Sequence, residues 1–216
     1  MTLRPAVPER GFVVPGFVVI EGNNGTGKTT VAEGLAAQGG AVRFHFPTVF
    51  GRFRREAGLD EGMDPLPRLA YYLAATVHLS SLVEAEVADG RAVVCDRYLA
   101  APLSLLVADG SLDDDEVCRL SEPFVASLAR PRATLLLVAG HAVATARILR
   151  RAAERTGGRL TPVERSTVES PGFVAAREAA LRRHASRVGP VVELDTTALT
   201  AEDVLPAAQE ALASPR

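Results

Sequence analysis

The sequence is most informative first in what it lacks. No apolar run approaches the roughly 18 residues that mark a membrane-spanning helix, so no membrane partner is expected. Only two cysteines occur, Cys95 and Cys118. They stand far apart without metal-ligand spacing, which points to a reducing compartment and a cytoplasmic protein. No charge of one sign dominates. The formal net charge is −2, which argues against a broad nucleic-acid-binding face. The histidines, His45, His78, His141 and His184, lack the spacing of a metal site and are read as structural or solvated. Repeats and low-complexity tracts are absent, and no Asn-Lys-x-Asp motif supports a guanine-nucleotide switch. The first ten residues hold two prolines and mixed charge. They read as neither signal peptide nor helix, so residues 1–14 are expected to form a flexible extension.

What is present is enough for one sizeable domain over 15–216, with 47% hydrophobic residues to build its core. Its organising stretch is Glu21-Gly22-Asn23-Asn24-Gly25-Thr26-Gly27-Lys28-Thr29-Thr30. From Gly22 to Thr29 it matches G-x-x-x-x-G-K-[ST] at every fixed position. An apolar β-branched run over 17–20 precedes it and a helical pattern over 31–38 follows. That context identifies a phosphate-binding loop. The glycines let backbone N–H groups face a concavity at a helix N-terminus, where anions are favoured. Lys28 is expected to supply a mobile positive charge for the β- and γ-phosphates, and the Thr29 hydroxyl can ligate Mg²⁺. Residues Gly22, Asn23, Asn24, Gly25, Thr26, Gly27, Lys28, Thr29 and Thr30 are thus expected to cradle ATP.

Further strands are expected over 41–46, 92–95, 133–138 and 191–194, each an apolar run bounded by turn signals. Pro47 ends the second, and 49–57 reads as a helical piece. Helical spacing predicts helices over 66–88, 99–107, 112–128, 143–154, 173–187 and 201–213, with a Gly/Pro-containing loop over 155–168. Five short apolar strands joined by helices imply an α/β domain, a parallel sheet with helices on both faces. Asp113-Asp114-Asp115-Glu116 reads as an acidic helix start that complements the helix dipole.

Two more sites follow from this layout. Asp96 ends the third strand after four apolar residues, the Walker B pattern. There it is expected to hold Mg²⁺ with Thr29, while Arg97 clamps the transferring phosphate. Arg147, Arg150, Arg151, Arg155, Arg159 and Arg165 crowd one segment against only Glu154 and Glu164. They read as a mobile lid over 147–168, with Arg147, Arg151 and Arg155 the expected catalytic members.

These pieces together resemble the thymidylate kinase family of P-loop nucleoside monophosphate kinases. The resemblance rests on residues 21–30, on Phe46-Pro47 after the second strand, on Asp96-Arg97-Tyr98, on the lid arginines and on Ala176-Arg177-Glu178-Ala179. It implies a five-stranded sheet of order 2-3-1-4-5, a homodimer packed through helices, ATP and Mg²⁺, and a nucleoside monophosphate acceptor. It also implies that Arg97 lies between donor and acceptor, that Phe46 stacks on an acceptor ring, and that Glu21, Asn24, Tyr72, Ala75, Tyr98, Ala101 and Leu105 occupy acceptor-site positions. The departures concentrate there. Asn24 stands where the family has Asp, and Ala75 where its long helix carries an acceptor-binding Arg. Ala101 replaces a Ser, Leu105-Leu106 a Tyr-Gln pair near the base, and Thr48 an Arg that sometimes follows Phe-Pro. Leu103, Leu105 and Leu106 are candidates for an apolar pocket wall. The donor half is intact and the acceptor half rewritten.

The leading reading is an ATP-dependent small-molecule kinase for which dTMP is a doubtful acceptor. The alternatives are a nucleoside kinase, a kinase of a hydroxylated non-nucleotide metabolite, and a nucleotide-binding regulator without transfer activity.

Overall fold

A computed structural model describes residues 13–46 and 63–213. Pro47, Thr48 and the helical piece expected over 49–57 lie outside the described residues. The strands are β1 (Val13–Gly22), β2 (Val42–His45), β3 (Val93–Asp96), β4 (Arg130–Val138) and β5 (Val191–Asp195). The helices are α1 (Lys28–Gly39), α2 (Pro65–Ala88), α3 (Ala100–Ala108), α4 (Asp114–Val125), α5 (His141–Thr156), α6 (Pro162–Glu169), α7 (Pro171–Ser186) and α8 (Val204–Ala213).

The strands form one parallel sheet of order β2-β3-β1-β4-β5, as expected. Strand periodicity divides its side chains between two faces. Phe17, Val19, Val93 and Cys95 join a core with Leu69, Leu73, Leu79 and Val83 of α2 and Leu103 and Leu106 of α3. Their neighbours Ile20 and Val94 face the other way, packing with Val31 and Ala32 of α1 and Val204, Ala208 and Leu212 of α8. Both faces are therefore covered, as a buried parallel sheet requires. No helix among the described residues is long and apolar enough to cross a membrane.

β1 begins at Val13, ahead of the expected domain boundary. Its register against β4 shifts between Val14 and Val18, where Pro15 has no N–H to donate and Gly16 turns at φ 83°. Local signals set the helix ends. Pro65 opens α2, and Asp113 accepts from Glu116 N at 2.7 Å to cap the acidic start of α4.

One expectation fails. The segment 155–168 is not a loop throughout: α6 occupies Pro162–Glu169. Thr161 and Glu164 form a reciprocal capping box with Pro162 at the first helical position. The sequence spelled that start signal, but nearby glycines and a proline masked it.

Candidate active site

The loop between β1 and α1 is shaped by close backbone packing. A Cβ on Gly22, at φ 144°, would sit 2.3 Å from the Leu137 carbonyl oxygen. A Cβ on Gly25 would meet the Ala144 carbonyl oxygen at 2.5 Å. Only glycine lets the loop lie this close to β4 and α5. Thr26 Oγ1 donates to Asn23 O at 2.9 Å, and Thr196 Oγ1 donates to Thr26 O at 3.1 Å, so the loop is tied from inside and from the residue that follows β5. α1 starts at Lys28, earlier than periodicity suggested, behind Gly27 at φ 96°. Its N-terminus has no side-chain cap and no acidic residue in its first turn. An uncapped N-terminus behind a glycine cradle fits a phosphate chain.

Lys28 is 5% exposed and donates to the Asn23 carbonyl. Burial, then repulsion from Arg97, holds its ammonium well below the usual lysine range. An anion in the cradle would relieve both penalties. Thr29 Oγ1 donates to Asp96 Oδ2 at 3.2 Å. Asp96 is 1% exposed, and its other oxygen, Oδ1, has no hydrogen-bond partner among the described residues. Burial alone would raise this carboxyl. The His45 hydrogen bond and the charges of Arg97 and Lys28 outweigh burial and hold it below the usual range. An ionised carboxylate with an orphaned buried oxygen beside a threonine hydroxyl fits Mg²⁺.

His45, expected to be structural or solvated, sits in this site. β2 and β3 run in parallel register with His45 opposite Asp96, and His45 Nδ1 lies 3.2 Å from Asp96 Oδ2. Sequence spacing carried no signal for this pair, because the contact is made across neighbouring strands.

Arg97 is the one non-glycine residue among the described residues with positive φ, at 75°. Its N–H bonds Ile20 O at 3.0 Å, and its guanidinium donates to Asn24 Oδ1 at 3.0 Å. A non-glycine residue held in this region costs on the order of 1–3 kcal/mol, and such strain concentrates at functional sites. The next residues turn away. Tyr98 is 1% exposed, its ring edge-on to Phe17 and its hydroxyl donating to Ala129 O at 3.2 Å. Glu21 Oε1 accepts from Tyr98 N at 2.9 Å and Ala101 N at 3.1 Å, anchoring the start of α3. Burial raises the pKa of Glu21, and its Oε2 has no hydrogen-bond partner among the described residues.

A cleft of about 540 Å³ runs from the phosphate loop between α2, α3, α6 and α7. It gathers Asn24, Gly25, Gly27, Lys28, Thr29, Thr30, Phe46, Tyr72, Arg97, Ala101, Leu105 and Arg151 from the expected set. Phe46 and Tyr72 meet with ring centroids 6.3 Å apart. Ala75 does not reach the cleft; it is 1% exposed within the core. Leu103 and Leu106 are likewise core residues, so of the three leucines proposed as a wall only Leu105 lines the cleft. The lid arginines also divide. Arg151 faces the cleft and pairs with Glu164 at 2.6 Å. Arg147 instead donates to Thr196 O and Leu199 O, both at 2.8 Å, fastening α5 to the loop after β5. Arg155 is exposed in the last turn of α5, outside the cleft lining.

Two arginines of the cleft were not among the expected site residues, although Arg177 belongs to the stretch Ala176-Arg177-Glu178-Ala179 that carries the resemblance. Arg68 of α2 donates through Nη2 to Asp109 Oδ2 and Ser111 Oγ, each at 2.6 Å. Arg177 of α7 is 2% exposed and lines the same cavity. A signal for Arg177 existed. Val174, Arg177, Leu181 and His184 recur at helical spacing on the buried face of α7, which sets a guanidinium among apolar positions.

The family model for thymidylate kinase matches residues 20–167, a span that includes the phosphate loop, Asp96 and the arginine-rich helix. The chain belongs to the thymidylate kinase family. It is 32% identical over 158 residues to the thymidylate kinase of Chromohalobacter salexigens, covering 66% of this chain and 73% of that one. It is 31% identical over 179 residues to the thymidylate kinase of Ectopseudomonas mendocina, covering 77% and 80%. Among solved structures, the thymidylate kinase of Candida albicans superposes with a TM-score of 0.67 at 18% identity, over 93% of this chain and 90% of that one. A deoxyadenosine kinase from M. mycoides with bound dATP superposes with a TM-score of 0.64 at 14% identity, over 91% and 99%. At those identities the structural likeness speaks to the fold. Family membership makes the chain a nucleotide kinase of the thymidylate kinase type.

Proposed function

We propose that this kinase moves the γ-phosphate of ATP to a nucleotide or nucleotide-like acceptor, and that dTMP is a poor one. The observation that carries the donor half is the Thr29–Asp96 hydrogen bond beside an uncapped, glycine-cradled helix start. Thr29 and Asp96 would hold Mg²⁺, which when bound neutralises charge on the phosphate oxygens. Lys28 and the loop amides hold the donor phosphates in line with the acceptor, and Arg97 neutralises charge between the two. Residues 147–168 act as the lid, with Arg151 the lid arginine that lines the cleft. The family resemblance is the support for a homodimer and for a cytoplasmic location.

The doubt about dTMP rests on the acceptor end. Ala101 and Leu105 line the cleft, and neither side chain offers a hydrogen bond to a base. A base whose polar edge is buried without partners loses about 1–3 kcal/mol per lost bond. Two such losses amount to about 2–6 kcal/mol, roughly 30-fold or more in kcat/KM at about tenfold per 1.4 kcal/mol. Coupled ADP detection over a panel of nucleosides, nucleotides and hydroxylated metabolites tests both halves. ADP release with some acceptor is expected, and a dTMP kcat/KM of about 10⁴ M⁻¹s⁻¹ or more would overturn the acceptor reading. Failure of ATP to bind at all would overturn the kinase reading.

A further inference from the structure

We propose that His45 is a positioning residue of the metal site: it fixes the Asp96 carboxylate so that Oδ1 is kept for Mg²⁺ or for a water of the ion's shell. It thereby sets how tightly the ion is held. The proposal rests on the donor half of the kinase reading above.

The starting point is a carboxylate whose surroundings are one-sided. Thr29 Oγ1 and His45 Nδ1 each lie 3.2 Å from Asp96 Oδ2. Arg43 Nη2 stands 3.7 Å from the same oxygen. Oδ1 is buried and has no hydrogen-bond partner among the described residues. An ionised carboxylate can accept through both oxygens, and an orphaned buried acceptor is costly. Charge satisfaction alone would therefore spread the three donors over the two oxygens. Gathering them on Oδ2 restrains rotation of the carboxylate and reserves Oδ1.

The fold builds this arrangement from three elements. Asp96 ends β3, Thr29 lies in the first turn of α1, and His45 ends β2. The parallel register sets His45 directly opposite Asp96. Arg43 stands two residues earlier, on the same face of the strand. The two β2 side chains divide their work. Arg43 Nη1 pairs with Glu33 Oε1 of α1 at 2.8 Å and reaches Asp96 only at the longer distance. His45 makes the closer approach. An ionised carboxylate only accepts, so this contact sets the imidazole proton on Nδ1.

A structural role alone would not call for this contact. β2 is already paired with β3 from Val42 to His45, so the strand needs no side-chain clip at its end. The His45 side chain is partly exposed and lines the cleft with Thr29. A carboxylate that ligates a metal is itself hydrogen-bonded by outer partners, and loss of such a partner typically weakens metal binding about 10–100-fold.

The test measures how much Mg²⁺ tightens the binding of a fluorescent, non-hydrolysable ATP analogue to the whole chain. Affinity is taken in excess Mg²⁺ and again in EDTA, for wild type, His45→Leu and His45→Asn. The ratio separates the metal's share from that of the phosphate loop. Mg²⁺ is expected to tighten binding to wild type at least about tenfold, and His45→Leu to lose most of that gain. Binding in EDTA should be the same in both. His45→Asn retains an N–H near the place of Nδ1 and should retain most of the gain. Equal gains in wild type and His45→Leu overturn the proposal. So does a parallel weakening with and without Mg²⁺, or a His45→Asn variant as poor as His45→Leu. If His45→Leu does not fold, His45→Val, better suited to a strand, replaces it with the same expected loss. Analogue binding to wild type without any gain from Mg²⁺ would overturn the metal site and this proposal with it. Absence of analogue binding would sink the kinase reading itself.

Discussion

Thr29 Oγ1 and Asp96 Oδ2 lie 3.2 Å apart, joining the first turn of α1 to the end of β3. They meet because β3 is the direct neighbour of β1, with Ile20 opposite Asp96. The other carboxylate oxygen, Oδ1, is buried and has no hydrogen-bond partner among the described residues. Asp96→Asn keeps the size and one acceptor but removes the charge that a divalent ion would need. Its kcat is expected to fall on the order of 10²-fold or more. Nucleotide binding measured in EDTA should change little. A Mg²⁺ titration of turnover decides it, and identical curves for variant and wild type would remove Asp96 from the site.

Lys28 has a different signature. Its ammonium is buried, rests on the Asn23 carbonyl and is held below its ordinary pKa by burial and by Arg97. Removing it relieves a cost in the free protein and deletes a contact in the complex. Lys28→Ala is therefore expected to fold with unchanged or raised thermal stability and to lose transfer on the order of 10²-fold or more. Near-normal turnover of the purified variant would contradict its role.

How much of this was legible beforehand depends on whether the signal was local. The phosphate loop, the strand before Asp96, the α/β alternation and the capped start of α4 are written in consecutive residues, and the fold follows them. The chain also contained Thr161-Pro162-x-Glu164, yet its glycine-rich flank hid α6. The His45–Asp96 contact depends on strand order, and the division of labour between Arg147 and Arg151 depends on which way α5 faces. Those are tertiary facts with no fixed sequence spacing. Leu103, Leu105 and Leu106 show the same limit. All three are apolar residues of one helix, yet only Leu105 turns to the cleft while the others fill the core.

Arg147 was expected among the catalytic arginines, but its guanidinium is occupied by backbone carbonyls of Thr196 and Leu199. Arg147→Ala leaves those oxygens without their donor and frees the loop that also holds Thr26 through Thr196. A loss of about 1–3 kcal/mol is expected. For a chain of this size that corresponds to roughly 2–4 °C in melting temperature per kcal/mol. The KM for ATP should rise more than kcat falls. A variant with wild-type stability and a pure kcat defect would restore the catalytic assignment.

His184 provides a pH-dependent term away from the site. Its ring is fully buried on α7, with Nε2 2.9 Å from Asp114 Oδ1. Burial lowers its pKa to about 4, against an opposing pull from Asp114. The unfolded chain, at the ordinary histidine value of 6.5, binds the proton first. Stability from the neutral ring is therefore full above about pH 6.5 and is lost as pH falls toward about 4. Melting temperatures across that window should fall more steeply for wild type than for His184→Gln. Parallel curves would show that the ring does not titrate in this way.

The segment 147–168 is the last point where sequence and structure give different pictures that one measurement can join. The arginine density implies a lid, while the structure gives two helices, α5 and α6, meeting at a corner. The corner holds two consecutive glycines with positive φ, Gly157 at 62° and Gly158 at 87°. Arg151 and Glu164 clip the helices together across it, and both side chains line the cleft. This half-exposed ion pair is worth little by itself, about 0–1 kcal/mol. On the lid reading, incoming phosphates are expected to compete with Glu164 for Arg151, with α6 following at the two glycines. Hydrogen exchange over 155–168 is therefore expected to be fast in the free protein, through low-energy local opening. It should slow when a non-hydrolysable ATP analogue and an acceptor are both bound, and less with the analogue alone. Glu164→Gln should speed exchange in the free protein while leaving the bound-state protection in place, since the pair that closes the site is then Arg151 with phosphate. Exchange that is already slow without ligand, or that ignores ligand altogether, would show α5 and α6 to be a rigid wall of the cleft.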